Sequence, residues 1–441
     1  MTGGKSATAS QQDDLELKLV VIADDFTGAL DTGVQFSAQG IPTQIALRRG
    51  RGTAIHPEAC PDAQVLVIDS ETRHLSASEA HDIVAGLVLE ARSLGVPHIY
   101  KKTDSALRGN LGAELSAVWK YARTDAVAFI PAFPDMKRTT QGGIHYIDGV
   151  PVSQSVFGQD PFEPVTRDDV AAIIAQQSDV AVTNVRDLGE QLPTADGIWV
   201  FDAASRADVA AIAANLKRQG WTQVLAGCAG FAKELPALLH LERKRLPKDV
   251  LEDRLLVVCG SVNPITRAQL AYGEAHGYAH TYLTPDAKLV RAAWQQGEGR
   301  ELAKRVAASL APGTCQIVDS NDPPGSNATR ERGDELGLSL EDLRARIAGT
   351  MGVALKTMLD EIIAASTPAP VILVTGGDTL LGFLREVGQT ELRPIAEIQP
   401  GCVLTKVPYR GREYHVITKS GGFGEEQLLE SLMEILGRNQ R

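Results

Sequence analysis

Short runs rich in β-branched residues alternate along the whole sequence with longer segments of helical periodicity. Continuous apolar runs separated by amphipathic helices are typical of mostly parallel sheets with helices on both faces. The sequence therefore predicts an α/β fold. The predicted strands are LKLVVIA (17–23), TQIALR (43–48), AQVLVID (63–69), HIYKKT (98–103), AVAFIPA (126–132), GIWVFDA (197–203), TQVLAG (222–227), RLLVVCG (254–260), HTYLTP (280–285), CQIVDS (315–320), PVILVTGG (370–377), CVLTKVP (402–408) and YHVITKSG (414–421).

The length of 441 residues exceeds what one hydrophobic core usually organises, so we expect two domains. The best boundary is the charged, proline-containing stretch HLERKRLPKDVLEDR (240–254). Each domain is predicted to be a mostly parallel sheet flanked by helices, with the active-site cleft between them. The predicted divisions are a disordered tail (1–15), a first domain (16–240), a linker (241–253) and a second domain (254–441).

The composition excludes several classes of protein. A formal net charge of −11 argues against a nucleic-acid partner, and no run approaches the ~18 apolar residues that would span a membrane. The cysteines are scattered and form no CxxC pair, and the N-terminal tail has no apolar core. We therefore predict a cytoplasmic protein without disulfides or a zinc site. The sequence does not specify the oligomeric state, for which a homodimer is the commonest outcome.

The second domain repeats a strand–glycine–helix junction three times. In each, glycine lets the backbone approach a ligand, and the helix start offers N–H groups to an anion. Because the carboxyl ends of parallel strands share one edge, the junctions predict a site for a phosphate-bearing nucleotide. Neither GxxxxGK[ST] nor a GxGxxG after the first strand occurs, so this is not a P-loop or a dinucleotide fingerprint. The junction residues are Gly260, Ser261 and Asn263, then Gly376, Gly377, Asp378 and Thr379, and finally Ser420, Gly421, Gly422 and Gly424.

The first domain instead places charged side chains at the ends of its predicted strands. If these strands are neighbours, carboxylates, ammonium groups and guanidinium groups converge on one cleft. Such mixed charge suits a small polyhydroxylated acid. The clusters contain Asp24, Asp25, Thr27 and Asp31; Asp69, Thr72 and Arg73; Lys101, Lys102, Thr103, Asp104, Ser105, Arg108 and Asn110; and Pro131, Asp135, Arg138 and Thr139.

Structural roles compete with this interpretation for some of these residues. Asp25 is equally well explained as a helix N-cap. Lys101 and Lys102 point to opposite faces of their strand, so at most one lies in the site. Arg108 is compatible with a solvated surface position, and His145 with a structural loop residue.

These segments together resemble the four-carbon acid sugar kinase family. The matching stretches are VIADDFTGALDTGVQFS, KKTDSALRGN, IPAFPDMKRTTQGGIHYIDGVPVSQS with DPFEPV, CGSVNPIT, VTGGDT and KSGGFGEEQLL, in the family's order from about residue 18 to residue 430. The resemblance implies an ATP-dependent kinase whose first domain binds the acid and whose second binds nucleotide. It also implies acid-binding positions at Asp24, Arg73 and Lys102 to Ser105, and nucleotide-binding positions at Ser261, Gly376 to Thr379, and Gly421.

The resemblance leads to a mechanistic hypothesis. The glycine junctions, Gly422 included, would hold the ATP phosphates together with Mg²⁺, whose ligands are not predicted. Lys102 and Arg73 would anchor the acid or offset developing charge. Asp24, Asp104 and Asp378 remain three candidates for the base that accepts a proton from the terminal (4-) hydroxyl. D-threonate, giving 4-phospho-D-threonate, is the first candidate substrate, and D-erythronate, L-threonate and 3-oxo-tetronate are alternatives.

Two other classes of function remain open at this point. A nicotinamide-dependent hydroxy-acid oxidoreductase would share the α/β pattern and the acid pocket, but the missing GxGxxG counts against it. A non-catalytic acid-binding protein would leave the three glycine junctions without a role.

Overall fold

The computed structural model describes residues 17–48, 55, 62–160, 163–188, 191–244, 249–419 and 422–438. Each predicted apolar run overlaps a strand. The strands are β1 (Leu19–Ala23), β2 (Thr43–Leu47), β3 (Val65–Asp69), β4 (His98–Lys102), β5 (Ala126–Ile130), β6 (Arg138–Gln141), β7 (Ile144–Ile147), β8 (Val150–Pro151), β9 (Val182–Val185), β10 (Gly197–Phe201), β11 (Val224–Gly227), β12 (Leu255–Cys259), β13 (Ala279–Tyr282), β14 (Cys315–Asp319), β15 (Val371–Thr375), β16 (Glu391–Gln399), β17 (Cys402–Tyr409) and β18 (Arg412–Lys419).

Helices follow most of these strands. They are α1 (Phe26–Ser37), α2 (Ala77–Ser93), α3 (Leu111–Ala122), α4 (Val170–Ala175), α5 (Arg206–Arg218), α6 (Ala229–Ala232), α7 (Leu235–Leu238), α8 (Pro264–Ala275), α9 (Pro285–Leu289), α10 (Glu298–Ser309), α11 (Ala328–Glu335), α12 (Leu340–Ala364), α13 (Gly377–Val387) and α14 (Leu428–Arg438). No helix among the described residues is long and apolar enough to cross a membrane.

The first half of the chain forms a parallel sheet in the order β2-β3-β1-β4-β11-β5-β10-β9. All residues of β1 are buried. Leu19 and Val21 pack into the core under α1, whereas Val20 and Ile22 pack into the core shared with α2 and α3. Burial on both faces explains why the strand is apolar throughout rather than alternating.

The second half forms a parallel sheet in the order β13-β14-β12-β15-β18, continued by β17 and β16 in antiparallel pairing. Glu391 and Leu392 of β16 also pair with β2, so a single fifteen-stranded sheet runs through both halves. The sequence predicted one sheet for each domain and did not predict β16. Pro394 and several charged residues weaken its strand pattern.

Three segments bear on the predicted divisions. The tail lies outside the described residues, as do positions 245–248 of the linker, and the described linker residues form no helix or strand. The breaker-rich stretch 321–340, expected to be a loop, contains α11. The short strands β6 to β8 form a separate small sheet that the sequence did not predict.

Candidate active site

The first part of the site lies at the carboxyl ends of β1, β3 and β4. The parallel register sets Ala23, the last residue of β1, level with Asp69 of β3 and Lys102 of β4. The residues that follow these strands therefore leave the sheet side by side. This brings Asp24, Arg73 and the Lys102 to Ser105 segment together, as their predicted positions at strand ends implied.

Arg73 is the centre of this cluster. Its Nε donates to Oδ2 of Asp24 at 2.8 Å, and its terminal nitrogens contact both carboxylate oxygens of Asp25 at 2.7 Å. One terminal nitrogen also lies 3.8 Å from Oδ1 of Asp104. A planar guanidinium suits such multiple carboxylate contacts better than a lysine would. The buried carboxylates are therefore compensated within the cluster.

Asp24 keeps one oxygen available to a ligand. Its Oδ1 is buried without a hydrogen-bond partner among the described residues, and Nζ of Lys102 lies 3.7 Å away. Burial would raise the pKa of Asp24, but Arg73, Lys102 and Lys101 outweigh it and lower the pKa to about 2. Asp24 is therefore ionised, with one oxygen that can still accept a hydrogen bond.

Asp104 and Ser105 are held by two arginines. Arg108 donates from Nε to Oδ2 of Asp104 at 2.9 Å, and Arg138 contacts the hydroxyl of Ser105. The pKa of Asp104 is well below its usual value because Arg73 and Arg108 outweigh the effect of burial. Thr103, next to them, has a buried hydroxyl with no partner in the described part of the chain. The segment thus presents a free hydroxyl beside paired charges.

Two residues of the predicted clusters, Asp25 and Lys101, have structural roles in the fold. Asp25 is the N-cap of α1, accepting from the backbone N–H of Gly28 at 2.9 Å, and it also pairs with Arg73. Lys101 lies on the opposite face from Lys102 and pairs with Glu114 at 3.0 Å.

Two expectations about single residues were wrong. Arg108 is not a freely solvated surface residue, because it pairs with Asp104 and Asp160. His145 lies in β7 rather than in a loop; it is buried, and its Nε2 contacts the carbonyl oxygen of Ser105 at 2.9 Å. Burial lowers the pKa of His145 to about 4, so the ring is neutral and supports the Ser105 segment.

The second part of the site is formed by the starts of α8 and α13. Gly376, the N-cap of α13, has φ of +95°, a conformation that favours glycine. A Cβ on Gly260 would clash with the hydroxyl of Thr379, and one on Gly376 would lie 3.7 Å from the backbone nitrogen of Ser261. The two loops therefore lie together. The start of α13 can offer backbone N–H groups to an anion, whereas α8 begins with Pro264, which has no N–H, and the N–H of Ile265 donates to Oδ1 of Asn263 at 2.9 Å.

Two further residues that were predicted to bind the nucleotide are Gly421 and Gly422. Gly421 lies outside the described residues. A Cβ on Gly422 would lie 3.9 Å from Nδ2 of Asn263, so this residue is next to the start of α8. An open cavity of about 320 Å³ lies beside Ser261, whose carbonyl oxygen accepts from Asn321 at 3.0 Å in the cavity wall.

The two parts of the site meet where α1 approaches α13. A Cβ on Gly377 would lie 2.6 Å from Oγ1 of Thr27. Close by, Arg385 of α13 forms an ion pair with Glu71. A further cavity of about 340 Å³ lies behind Arg73 and Arg108, on the side of Glu163. The cluster of Asp24, Arg73 and Lys102 to Ser105 (the acid-half cluster) and the loops at Gly260 and Gly376 (the glycine loops) thus lie on either side of one contact.

Asp378 is exposed at the start of α13 and faces the first half. The pKa of His74 is raised, first by its hydrogen bond to Glu163 and in smaller part by the charge of Asp378.

Sequence reasoning placed Thr27 and Asp31 in a charged cluster at the end of β1 but gave neither residue an individual role, and it assigned none to Gly28. The signal that places them together is helical spacing, since residues three and four apart share a face of α1. Among the described residues, no group of three or more His, Cys, Asp and Glu side chains is placed to hold a metal ion.

One half of this α/β protein carries a cluster of charged side chains, and the other half carries helix starts bounded by glycine. This two-domain architecture is suited to joining an anionic acid and a nucleotide. This is the arrangement of a phosphotransferase with two substrates.

Comparisons with known proteins identify the family. Residues 19–235 match the sugar-binding N-terminal domain model, and residues 256–429 match the nucleotide-binding C-terminal domain model. A D-threonate kinase of Salmonella typhimurium is 30% identical over 437 residues, covering 94% of this chain and 97% of that protein. A D-erythronate kinase of Heliobacterium modesticaldum is 28% identical over 435 residues, covering 92% and 94%. A 3-oxo-tetronate kinase of Pseudomonas fluorescens is 25% identical, covering 95% and 97%.

The fold has been seen before in a crystal structure. A Haemophilus influenzae protein of the DUF1537 family superposes with a TM-score of 0.71 at 18% identity, covering 95% of this chain and 100% of that chain. The chain belongs to the four-carbon acid sugar kinase family, and it is a sugar-acid kinase.

Proposed function

We propose that this kinase transfers the γ-phosphoryl group of ATP to the terminal 4-hydroxyl of a four-carbon sugar acid, with D-threonate first among the candidates. The observation that carries the proposal is the contact between Thr27 and Gly377, which sets the acid-half cluster against the glycine loops. Phosphoryl transfer depends mainly on such positioning and on neutralising charge. The preference for D-threonate rests on relatives of that name at 30% identity in two organisms.

Each part of the site has a role in this proposal. Lys102 and Arg73 would anchor the carboxylate of the acid, and Oδ1 of Asp24 with the hydroxyl of Thr103 would bind its hydroxyl groups. Ser261 and the residues Gly376 to Thr379, with Gly421 and Gly422, would hold the phosphates of ATP. The cavity beside Asn321 would take the nucleoside.

Mg²⁺ is part of the proposal because of what it does for phosphates. In kinase sites it is usually held by phosphate oxygens and only one or two carboxylates, and it neutralises the charge of the transferring group. Asp378, exposed at the start of α13 beside the glycine loops, is a carboxylate on the nucleotide side of the site that could take this role.

The test is ADP release, coupled to a spectrophotometric readout, with Mg-ATP and a panel of acids. The panel contains D- and L-threonate, D- and L-erythronate and 3-oxo-tetronate. We expect turnover to be greatest with D-threonate, and phosphorus–proton NMR of the product should locate the phosphate on C4. Preferred turnover of another acid on the panel would keep the kinase and replace the substrate.

Two variants make the test specific. Lys102→Gln should raise KM for the acid by at least about tenfold while leaving the thermal shift with ATP unchanged. Lys137→Gln changes an exposed lysine of the same half, with 79% of its side chain accessible, and should leave both quantities unchanged. If folded protein turns over none of the five acids, the proposed reaction is wrong, and the thermal shift with ATP then shows whether nucleotide binding survives.

A further inference from the structure

Among the carboxylates of the first half near the contact between the halves, Asp31 is set apart from Asp24, Asp25 and Asp104 by having no hydrogen-bond or ion-pair partner among the described residues. It lies in α1 and is mostly buried, and no described residue forms a hydrogen bond or ion pair with its carboxylate. Asp24 and Asp104, in contrast, are paired with arginines. A carboxylate held by an arginine is stabilised as an anion and is a poor proton acceptor.

The geometry of α1 places Asp31 on the face that looks into the site. Thr27 and Gly28, four and three residues earlier, share this face because of helical spacing. Thr27 contacts Gly377 in the second half, and Gly28 lies against Nζ of Lys102 in the acid cluster. Asp31 therefore belongs to the one helical face that touches both parts of the site.

The groups around Asp31 come from three further elements. They are Lys102 of β4, Arg138 of β6 and Glu397 of β16, together with Asp25 at the start of α1 itself. Burial raises the pKa of Asp31 to about 7; Lys102 opposes this effect, and Asp25 and Glu397 add to it. A general base works best when its pKa lies near the working pH.

We infer that Asp31 is the general base that accepts the proton of the terminal hydroxyl of the acid. This inference rests on the proposed function. In the step, the hydroxyl O–H bond breaks and its proton passes to the Asp31 carboxylate, while the alkoxide oxygen forms a bond to the γ-phosphorus. The bond from that phosphorus to the β,γ-bridging oxygen breaks, and its electron pair leaves with ADP.

The test compares Asp31→Asn with the unmodified enzyme in kcat, KM and their dependence on pH. For the unmodified enzyme, kcat/KM should rise with pH and level off above about pH 7, since only ionised Asp31 accepts the proton. Asp31→Asn should lower kcat by about 10²–10⁴-fold, leave KM for both substrates within about threefold, and abolish the rising limb. Asp31→Glu keeps the carboxylate and should restore part of kcat together with the limb.

The control is Asp82→Asn, an exposed aspartate of α2 with 78% of its side chain accessible, which should change neither kcat nor the pH profile. Three outcomes would overturn the inference: an Asp31→Asn enzyme with the same kcat and pH limb, recovery of its kcat at high Mg²⁺, or loss of the limb in Asp378→Asn instead. An unmodified enzyme that is inactive with every acid would overturn the proposed function itself, so the two failures are distinguishable.

Discussion

Asp24 and Asp31 show how one short stretch of chain can hold two carboxylates whose pKa values are shifted in opposite directions. Arg73 and the lysines of β4 lower the pKa of Asp24 to about 2 against the effect of burial, which keeps the group ionised. Burial raises the pKa of Asp31 to about 7, with Lys102 opposing it only in part. Environments that push two pKa values apart are how active sites assign different tasks to the same residue type.

The same shifts predict opposite effects on stability. Native Asp24 binds its proton less tightly than the unfolded chain does, so its stabilisation is complete above about pH 4 and is lost as the pH falls toward 2. Native Asp31 binds its proton more tightly, so the free energy of unfolding decreases as the pH rises from about 4 to about 7. Asp31→Asn should therefore raise the free energy of unfolding by about 2–4 kcal/mol at pH 8 and by less than about 1 kcal/mol at pH 4.

Asp24→Asn is the matched comparison and should lower the free energy of unfolding by about 2–4 kcal/mol at pH 8, because it leaves part of the Arg73 charge uncompensated. Urea unfolding of both variants at pH 4 and pH 8 would measure these differences. A neutral effect of Asp31→Asn at pH 8 would mean that Asp31 is not destabilised as an anion.

At the level of single elements, α1 is the helix on which the site depends. Asp25 caps its start, Thr27 contacts the second half, and Gly28 gives Lys102 room to approach the helix backbone. Helix interiors disfavour glycine by about 0.8–1 kcal/mol relative to alanine, so Gly28 carries a cost in stability that is explained by the position of Lys102.

Gly28→Ala should therefore separate activity from stability. The new Cβ would clash with Nζ of Lys102 and with Oδ1 of Asp25, the N-cap of α1. Both atoms lie at the ends of side chains that can turn away, and losing the cap hydrogen bond would cost about 1 kcal/mol. We expect kcat/KM for the acid to fall by at least about tenfold, while the melting temperature changes by only a few degrees. Steady-state kinetics and a thermal melt measure the two quantities.

Gly86→Ala, in α2, is the control, because a Cβ there meets no atom within 4 Å. It should stabilise the protein by about 0.5–1 kcal/mol and leave kcat/KM unchanged. If the two glycine variants have equal activity, the position of Lys102 against α1 does not matter for the reaction.

The elements also show how far sequence could predict this structure. Strands such as β1 and β12 are buried on both faces, so their apolar runs are visible without any tertiary information. Because parallel strands end at one edge, the Asp24, Arg73 and Lys102 cluster could be predicted too. Strand β16 could not, since its pairing with β2 and β17 is set by tertiary contacts while its own residues are mixed in polarity. The role of Asp31 depends on which face of α1 packs against Lys102, which no local pattern specifies.

At the scale of the whole molecule, the two halves are connected through more than the linker. Strand β16 pairs with β2 on one side and β17 on the other, and the backbone N–H of Leu47 donates to the carbonyl oxygen of Thr390 at 2.7 Å. Leu392 is buried at this junction. The halves therefore approach each other in a defined geometry, and the contact of Thr27 with Gly377 is part of it.

This contact can be tested by a double-mutant cycle. Gly377→Ala places a methyl group 2.6 Å from Oγ1 of Thr27, which must move or push the halves apart. Thr27→Ala removes that oxygen, and the remaining Cβ of residue 27 would then lie 3.9 Å away, an ordinary contact distance. Gly377→Ala should lower both the melting temperature and kcat/KM for ATP, and adding Thr27→Ala should recover the melting temperature, with a coupling free energy of about 0.5–3 kcal/mol.

Thr27→Ser is the control for this cycle because it keeps the oxygen and removes only the methyl group. Combined with Gly377→Ala, it should leave the protein as impaired as Gly377→Ala alone. Calorimetric melts of the single and double variants, with ATP kinetics on each, provide the measurements. Additive effects of Thr27→Ala and Gly377→Ala would show that the two residues do not touch in solution. In that case the acid cluster and the glycine loops would be farther apart in the resting enzyme, and a closing movement would have to bring them together before phosphoryl transfer.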